Sequence, residues 1–259
     1  MTTLLLPPRY TEDSIALWRA AITRRWSTER VLGWRASASV DDDVVIYGEP
    51  LFAATVAEQF GIALIEPPLD WLGSIPAELL RRAVRSLRLG EVRRLEFPKF
   101  VKPADDKCFP ARVYGSADEI PNLETLAPET PTIVSDPVSW AREYRAFVLE
   151  GEPVTVSAYA RDGRLDMDDS EEGLSEAARF VRRVATSVDV PPAVVLDVGV
   201  IANAGWAIVE ANPCWGSGIY RCDPAKALDV VQRACRRTKD LAPEDARWIV
   251  TRAGSSSDA

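Results

Sequence analysis

The sequence predicts an α+β protein in which a small α/β lobe precedes a larger region of antiparallel hairpins and amphipathic helices. Three observations carry that expectation. Over roughly the first 90 residues, apolar strand-like runs alternate with helical patterns, as in lobes built on a parallel sheet. Later, pairs of apolar runs flank turn residues, Gly151-Glu152-Pro153 and Asn203-Ala204-Gly205, which predicts two hairpins. Beside the hairpins, apolar residues recur at helical spacing from Leu174 to Val188 and from Pro224 to Cys235.

Leu4-Leu5-Leu6 reads as a first strand and Asp13 to Trp26 as a helix with Ile15, Leu17, Trp18, Ala21 and Ile22 apolar. Val44 to Tyr47 reads as a buried strand, Leu51 to Phe60 as a helix stopped by Gly61, and Ile62 to Ile65 as another strand. Pro76 opens a helix expected over Ala77 to Leu89, closed by Gly90, with its arginines on a solvated face. A strand is expected around Phe97 to Lys102, followed by the polar loop Ala104 to Lys107. Ile120 to Pro131 reads as a connecting loop, then Thr132 to Val134 as a short strand and Glu143–Leu149 with Val154–Tyr159 as the first hairpin. Asp166 to Glu172 carries five acids without the spacing of a calcium loop and reads as a solvated cap for the next helix. That helix presents Leu174, Ala178, Val181, Ala185 and Val188 on one face. Asp223 caps the last helix, which buries Leu228, Val231, Ala234 and Cys235. The stretch from Gly254 to Ala259 reads as a disordered tail.

Composition narrows the chemistry. The 259-residue chain is 47% hydrophobic and 27% charged, an ordinary globular balance. Its net charge of −8 argues against a general nucleic-acid surface. No apolar stretch is long enough to cross a bilayer, and Met1 to Pro8 has neither a basic leader nor a small-residue cleavage pattern, so a cytoplasmic protein without membrane association is expected. Histidine is absent, which removes histidine-dependent triads and histidine zinc sites. Cys108, Cys214, Cys222 and Cys235 form no paired metal motif, and Cys214 has no base beside it to make it a nucleophile.

The chemistry-bearing residues are charged or amide side chains inside apolar runs. Desolvating such groups without a partner costs several kcal/mol. In the second hairpin, a two-residue loop centred on Asn203 and Ala204 places Asp197 opposite Glu210, with Asn212 on the same face. Three oxygen donors then converge, and facing carboxylates call for a cation; Mg²⁺ suits that donor set. A three-residue loop would turn Asp197 to the wrong face. Lys102, within Phe100-Val101-Lys102-Pro103, meets an anion or snorkels to solvent; Lys107 could fold over phosphates or stay a mobile surface lysine. Glu143 and Arg145 share a strand face, where Glu143 could bind ribose hydroxyls and Arg145 a transferred phosphate or a carboxylate; a cross-strand ion pair is the alternative. Ile133 to Val138 could line an adenine. After Pro213, Trp215-Gly216-Ser217-Gly218 could hold a carboxylate or oxyanion on backbone N–H groups, or be an ordinary glycine turn. Two cations and three oxygen ligands together point to a nucleoside triphosphate with Mg²⁺.

In order, Lys102-Pro103, Glu143-Tyr144-Arg145, Asp197 and Glu210-Ala211-Asn212-Pro213 resemble the motif series of the ATP-grasp superfamily, over roughly Phe97 to Tyr220. The compact size, with the Glu-Tyr-Arg and Glu-Ala-Asn-Pro signatures, is similar to its small amidoligase-type clades. The resemblance implies an ATP-grasp fold, two α+β subdomains sandwiching ATP, preceded by the α/β domain: residues 1–90, then 91–255 with a hinge near 134–140. It implies that Lys102, with Lys107, contacts phosphates and that Val134, Ser135, Asp136, Val138 and Glu143 surround the nucleoside. It further implies that Asp197, Glu210 and Asn212 hold Mg²⁺, that Arg145 with Trp215 to Gly218 meets the substrates, and that Arg145 and Lys107 are the catalytic side chains. The implied reaction activates a small-molecule or peptide carboxylate as an acylphosphate, which an amine attacks. A kinase-like phosphotransferase and a non-catalytic nucleotide-binding module are the alternatives. No long glycine-rich loop follows Lys102; Ala104 to Pro110 is short and carries Lys107 instead. A homodimer is allowed by the sequence but marked by no feature of it.

Overall fold

The structure is a computed structural model that describes residues 1–38, 43–105, 107–121 and 126–250. The expected tail at 254–259 lies outside the described residues. The N-terminal lobe starts with β1 (Thr2–Leu6), α1 (Glu12–Thr23), β2 (Ser27–Arg30), β3 (Asp43–Ile46), α2 (Pro50–Phe60) and β4 (Ile62–Leu64). Strands β2-β1-β3 form a parallel sheet. Its central strand buries Leu4, Leu5 and Leu6 completely, as a parallel strand covered on both faces requires. Thr11 and Ser14 cap α1 reciprocally, and Gly61 ends α2 in the left-handed conformation at φ 57°.

Next come α3 (Ala77–Leu80), β5 (Val84–Arg88), α4 (Leu89–Val92), β6 (Lys99–Pro103), β7 (Arg112–Tyr114) and β8 (Pro131–Ser135). Strands β5-β8-β6-β7 make a four-stranded antiparallel sheet. Its core of Leu89, Val92, Val101, Phe109, Tyr114, Ile120 and Val134 is separate from the main core. Then follow β9 (Trp140–Leu149), β10 (Glu152–Arg161), β11 (Arg164–Leu165), α5 (Glu171–Ser187), β12 (Ala193–Ile201) and β13 (Gly205–Asn212). These strands form an antiparallel sheet of order β11-β10-β9-β12-β13. The described residues end with α6 (Pro224–Ala234), β14 (Cys235–Arg237) and α7 (Pro243–Ala246). The five-stranded sheet shares one hydrophobic core with the N-terminal lobe, joined through α6.

Several expectations are corrected. The helix expected over 77–89 ends at Leu80, because Arg81 turns left-handed at φ 53°, and the chain continues as β5 along the free edge of β8. Tertiary pairing overrides the helical spacing there. A boundary at residue 90 therefore cuts a sheet: β5 belongs with β6, β7 and β8. β4 pairs antiparallel with β14 instead of joining the parallel sheet, so the last strand among the described residues returns to the first lobe. α5 buries Ala177, Phe180, Val181 and Val184, a face rotated from the expected one. Among the described residues, no helix is long and apolar enough to cross a membrane.

Candidate active site

A cavity of about 250 Å³ opens between the four-stranded and five-stranded sheets. Phe100, Lys102, Ile133 and Ser135 wall it from β6 and β8; Trp140, Glu143, Val209 and Glu210 wall it from β9 and β13. Strand alternation sorts the residues of β6. Val101 points into the small core at 0% exposure, so Lys102 points into the cavity. Asp136, Pro137 and Val138 line the same space just beyond β8. Asp136 accepts from Lys99 Nζ at 2.7 Å and from the Ala83 N–H at 3.3 Å, which fixes the crossing between the lobes. Val134 faces the other way, into the small core, and is corrected from the set expected around the nucleoside.

The opposing wall depends on a register defect. The loop joining β12 to β13 has three residues, since Ile201 pairs with Gly205. Continued regularly, that register would set Asp197 opposite Val209 and send Glu210 to the other face of the sheet. A bulge intervenes: Val198 pairs with Ile208 but Asp197 pairs with Glu210, leaving Val209 as the extra residue. The expected two-residue loop is wrong, yet Asp197 and Glu210 do oppose each other.

Around this pairing lies a dense ionic network. Arg145 Nε and Nη2 donate to the two oxygens of Asp197 at 2.8 and 2.7 Å, and Nη1 donates to the Gly218 carbonyl at 2.9 Å. Arg145 and Asp197 face each other on β9 and β12. Burial works against the charge on Arg145, but the adjacent Asp197 carboxylate outweighs it and holds the guanidinium above its ordinary pKa. Lys102 Nζ pairs with Glu210 Oε2. Burial works to raise the Glu210 carboxyl, and Lys102 and Asn212 overcome it, bringing its pKa down to about 2. The Asn212 amide nitrogen lies 2.9 Å from Glu210 Oε1 and 3.2 Å from Asp197 Oδ2. Glu143 accepts from the Tyr159 hydroxyl at 2.9 Å, and burial raises its carboxyl pKa, with Asp197 and Glu210 adding to the rise.

Glu210, Asp197 and Asn212 carry carboxylate and amide oxygens, the donor type that Mg²⁺ takes; as placed, the Asn212 amide nitrogen, and not its oxygen, faces the two carboxylates. Glu210 alone of the three lines the cavity; Asp197 and Asn212 stand directly behind it. Other expected positions fall outside. Lys107 is exposed and does not line the cavity. Trp215 is 1% exposed and donates its indole N–H to the Ile65 carbonyl, while the Ser217 hydroxyl donates to the Pro213 carbonyl. Gly216 lets this segment approach the N-terminal lobe: a Cβ there would lie 3.3 Å from the Gly48 carbonyl. Gly48 N–H in turn donates to the Trp215 carbonyl at 2.9 Å. The segment from Trp215 to Gly218 is thus a seam between lobes that holds Arg145 from behind, not an open anion nest. Cys214 is buried, and burial pushes its thiol well above the ordinary range.

The sequence reading missed Arg82, Trp140 and Tyr159. Trp140 lies over Gly199, where a Cβ would meet its ring at 2.8 Å, so the glycine lets the indole lie flat as a cavity wall. Arg82 sat in an arginine-rich run with nothing in its spacing to single it out. Tyr159 stacks on Tyr220 at 5.2 Å, and the Arg145 guanidinium lies 4.9 Å from the Tyr220 ring centre.

A cleft between two sheets, with a lysine on one wall and acidic and amide side chains on the other, is the arrangement of an ATP-grasp domain. A family model described as an ATP-grasp domain, family 2 of its clade, matches residues 79–230, and the chain belongs to that family. Among solved structures, D-cycloserine synthetase DcsG is similar at 15% identity and a TM-score of 0.56, covering 90% of this chain and 99% of that one. A RimK domain ATP-grasp protein from Sphaerobacter thermophilus is similar at 14% identity and a TM-score of 0.55, covering 89% and 99%. D-alanine–D-alanine ligase from Bacillus anthracis is similar at 12% identity and a TM-score of 0.52, covering 90% and 97%. At these identities the likeness is one of fold. No curated protein matches the sequence significantly.

Proposed function

We propose that the protein is a Mg-ATP-dependent carboxylate–amine ligase that forms an amide or peptide bond through an acylphosphate. The observation that carries this reading is the Lys102–Glu210 pair across the cavity, one partner from each lobe. A phosphate oxygen can replace the carboxylate on Lys102, and a divalent cation can replace the ammonium on Glu210, so a metal–nucleotide complex satisfies both walls at once. Glu210, Asn212 and Asp197 would hold Mg²⁺; bound there, the ion screens charge on the phosphates and polarises the transferred group. Ser135 to Val138 form the apolar and backbone wall for adenine, and Glu143, hydrogen-bonded to Tyr159, is placed for ribose hydroxyls. Burial raises the Asp197 carboxyl above its ordinary pKa and Arg145 opposes that rise, while the guanidinium presents positive charge behind the transfer site. No side chain need act as a nucleophile, since phosphoryl transfer rests on positioning and charge neutralisation. The solved ligases of like fold support the reaction class.

Incubation with Mg-ATP and paired libraries of carboxylates and amines tests the reading. ADP and phosphate should be released together only when both acceptors are present, and hydroxylamine should trap a hydroxamate from the activated carboxylate. Release of ADP with a stable phosphorylated product and no amine requirement would show a kinase instead. Full activity in Glu210→Ala or Asp197→Ala would overturn the metal assignment.

A further inference from the structure

Arg82 has an unusual set of partners for a residue in an arginine-rich segment. Its Nη1 donates to the Ile208 carbonyl at 2.7 Å and its Nη2 to the Val209 carbonyl at 3.1 Å. Nη1 also donates to the Leu80 carbonyl at 3.1 Å. In a regular strand, successive carbonyls point to opposite edges, so one guanidinium cannot take two in a row. Ile208 and Val209 are the residues at the bulge that brings Glu210 opposite Asp197. β13 is the edge strand of its sheet, so the carbonyls displaced by the bulge have no neighbouring strand to pair with. Arg82 supplies the missing donors. The guanidinium also lies 5.0 Å from the centre of the Trp140 ring, which fixes its plane. Burial lowers its pKa to about 10, against the pull of Glu210 and Glu143, so the cation is held inside at a cost that three carbonyls, two carboxylates and an indole offset.

From this geometry we infer that Arg82 is a positioning residue for the metal ligands: it clamps the β13 bulge and so sets the register that turns Glu210 toward the cavity, with Asn212 on the same face behind it. This rests on the reading of Glu210 and Asn212 as Mg²⁺ ligands. The rigid fork of arginine matches two adjacent carbonyls, and a lysine ammonium at the same place does not. Arg82 leads directly into β5, so the clamp also ties the four-stranded lobe to the metal-binding hairpin.

The test uses the full chain with Arg82→Gln and Arg82→Lys, alone and combined with deletion of Val209. Deleting Val209 removes the extra residue, so the three-residue loop by itself sets Glu210 opposite Asp197 and the clamp is no longer needed. The first readout is the Mn²⁺ concentration that half-saturates the protein at saturating ATP, followed by electron paramagnetic resonance. The second is ATP binding in EDTA. Arg82→Gln and Arg82→Lys should both raise the Mn²⁺ requirement by about tenfold or more, as loss of an outer support for a metal ligand does, while ATP binding in EDTA changes far less. Deletion of Val209 should restore the metal affinity of either variant. Amide exchange across residues 206–212, read without nucleotide, should quicken in Arg82→Gln and recover in the double variant. If Arg82→Gln fails to fold, the double variant still decides, because it should fold and bind metal. An unchanged metal requirement in Arg82→Gln, full rescue by lysine, or no recovery on deleting Val209 would each overturn the proposal. Failure of the unaltered protein to bind Mg-ATP would instead sink the functional reading, and the exchange measurement would still report on the clamp.

Discussion

Replacing Asp197 by Asn keeps the shape of a side chain that is 1% exposed and removes the charge facing Arg145. Two charge-assisted hydrogen bonds, at 2.8 and 2.7 Å, join the pair. Bonds of that kind contribute about 1.5–3 kcal/mol each, which sums to about 3–6 kcal/mol. Breaking a buried ion pair by removing one partner costs about 3–5 kcal/mol, because the other charge stays behind uncompensated. The two routes agree on about 4 kcal/mol, or a fall in melting temperature of about 8–16 °C for a chain of this size. Urea unfolding at neutral pH, with calorimetry as a check, measures it. The companion variant Asp197→Asn with Arg145→Gln removes both charges and should recover a good part of the loss, since the desolvation penalty leaves with them. A loss below about 1 kcal/mol in Asp197→Asn would refute the view that this pair is buried and mutually dependent. So would a double variant as unstable as the sum of the two single ones.

Lys102→Met should weaken Mg-ATP binding by about 10–100-fold, the worth of one charge-assisted contact to phosphate, and calorimetric titration reads it directly. An affinity unchanged from the parent would remove Lys102 from the phosphate site. Glu210 carries a pH signature: its carboxyl, ordinarily near 4.5, is brought to about 2 in the folded chain, where Lys102 and Asn212 outweigh burial. A depressed folded pKa stabilises fully above the unfolded value and fades as pH falls from 4.5 toward 2. The ceiling is about 3 kcal/mol, cut to about 1–2 kcal/mol because the group is partly open to solvent. Unfolding curves of the parent and Glu210→Gln should therefore converge as the acid limb is descended, and a gap independent of pH would contradict the assignment. The thiols give a simpler count. Cys108 is exposed, whereas Cys214, Cys222 and Cys235 are buried, with burial pushing the last two up to about 12. A thiol reagent should find one fast group in the folded chain and four after unfolding; a second fast group would place one of the three at the surface.

Most elements were legible in the sequence because their signals are local. Leu4 to Leu6 must be a buried strand, Asp223 with Pro224 must start a helix, and Gly61 must end one; each structural feature follows from neighbours in the chain. What the sequence hid is what tertiary pairing decides. Ala77 to Leu89 has helical spacing, and nothing local reports that the edge of β8 lies open to it. Trp215 and Ser217 looked like a ligand-facing nest, but whether a glycine turn faces a ligand or a neighbouring lobe depends on where Gly48 arrives from the other end of the chain.

The β12–β13 hairpin is the instructive case, because the sequence reading reached the right pairing through a wrong loop. Simple alternation needs an even loop to bring Asp197 opposite Glu210, and the chain instead has an odd loop and an extra residue at Val209. Either change alone would turn Glu210 and Asn212 to the other face, and together they cancel. A bulge is stable only where its displaced carbonyls find donors. Here the donor is Arg82, more than a hundred positions away in a stretch whose pattern reads as a solvated helix. Motif spacing records the final alignment of Asp197, Glu210 and Asn212. The means of reaching that alignment lies in a long-range contact with no sequence period, so it becomes visible only when the backbone carbonyls and their partners are counted.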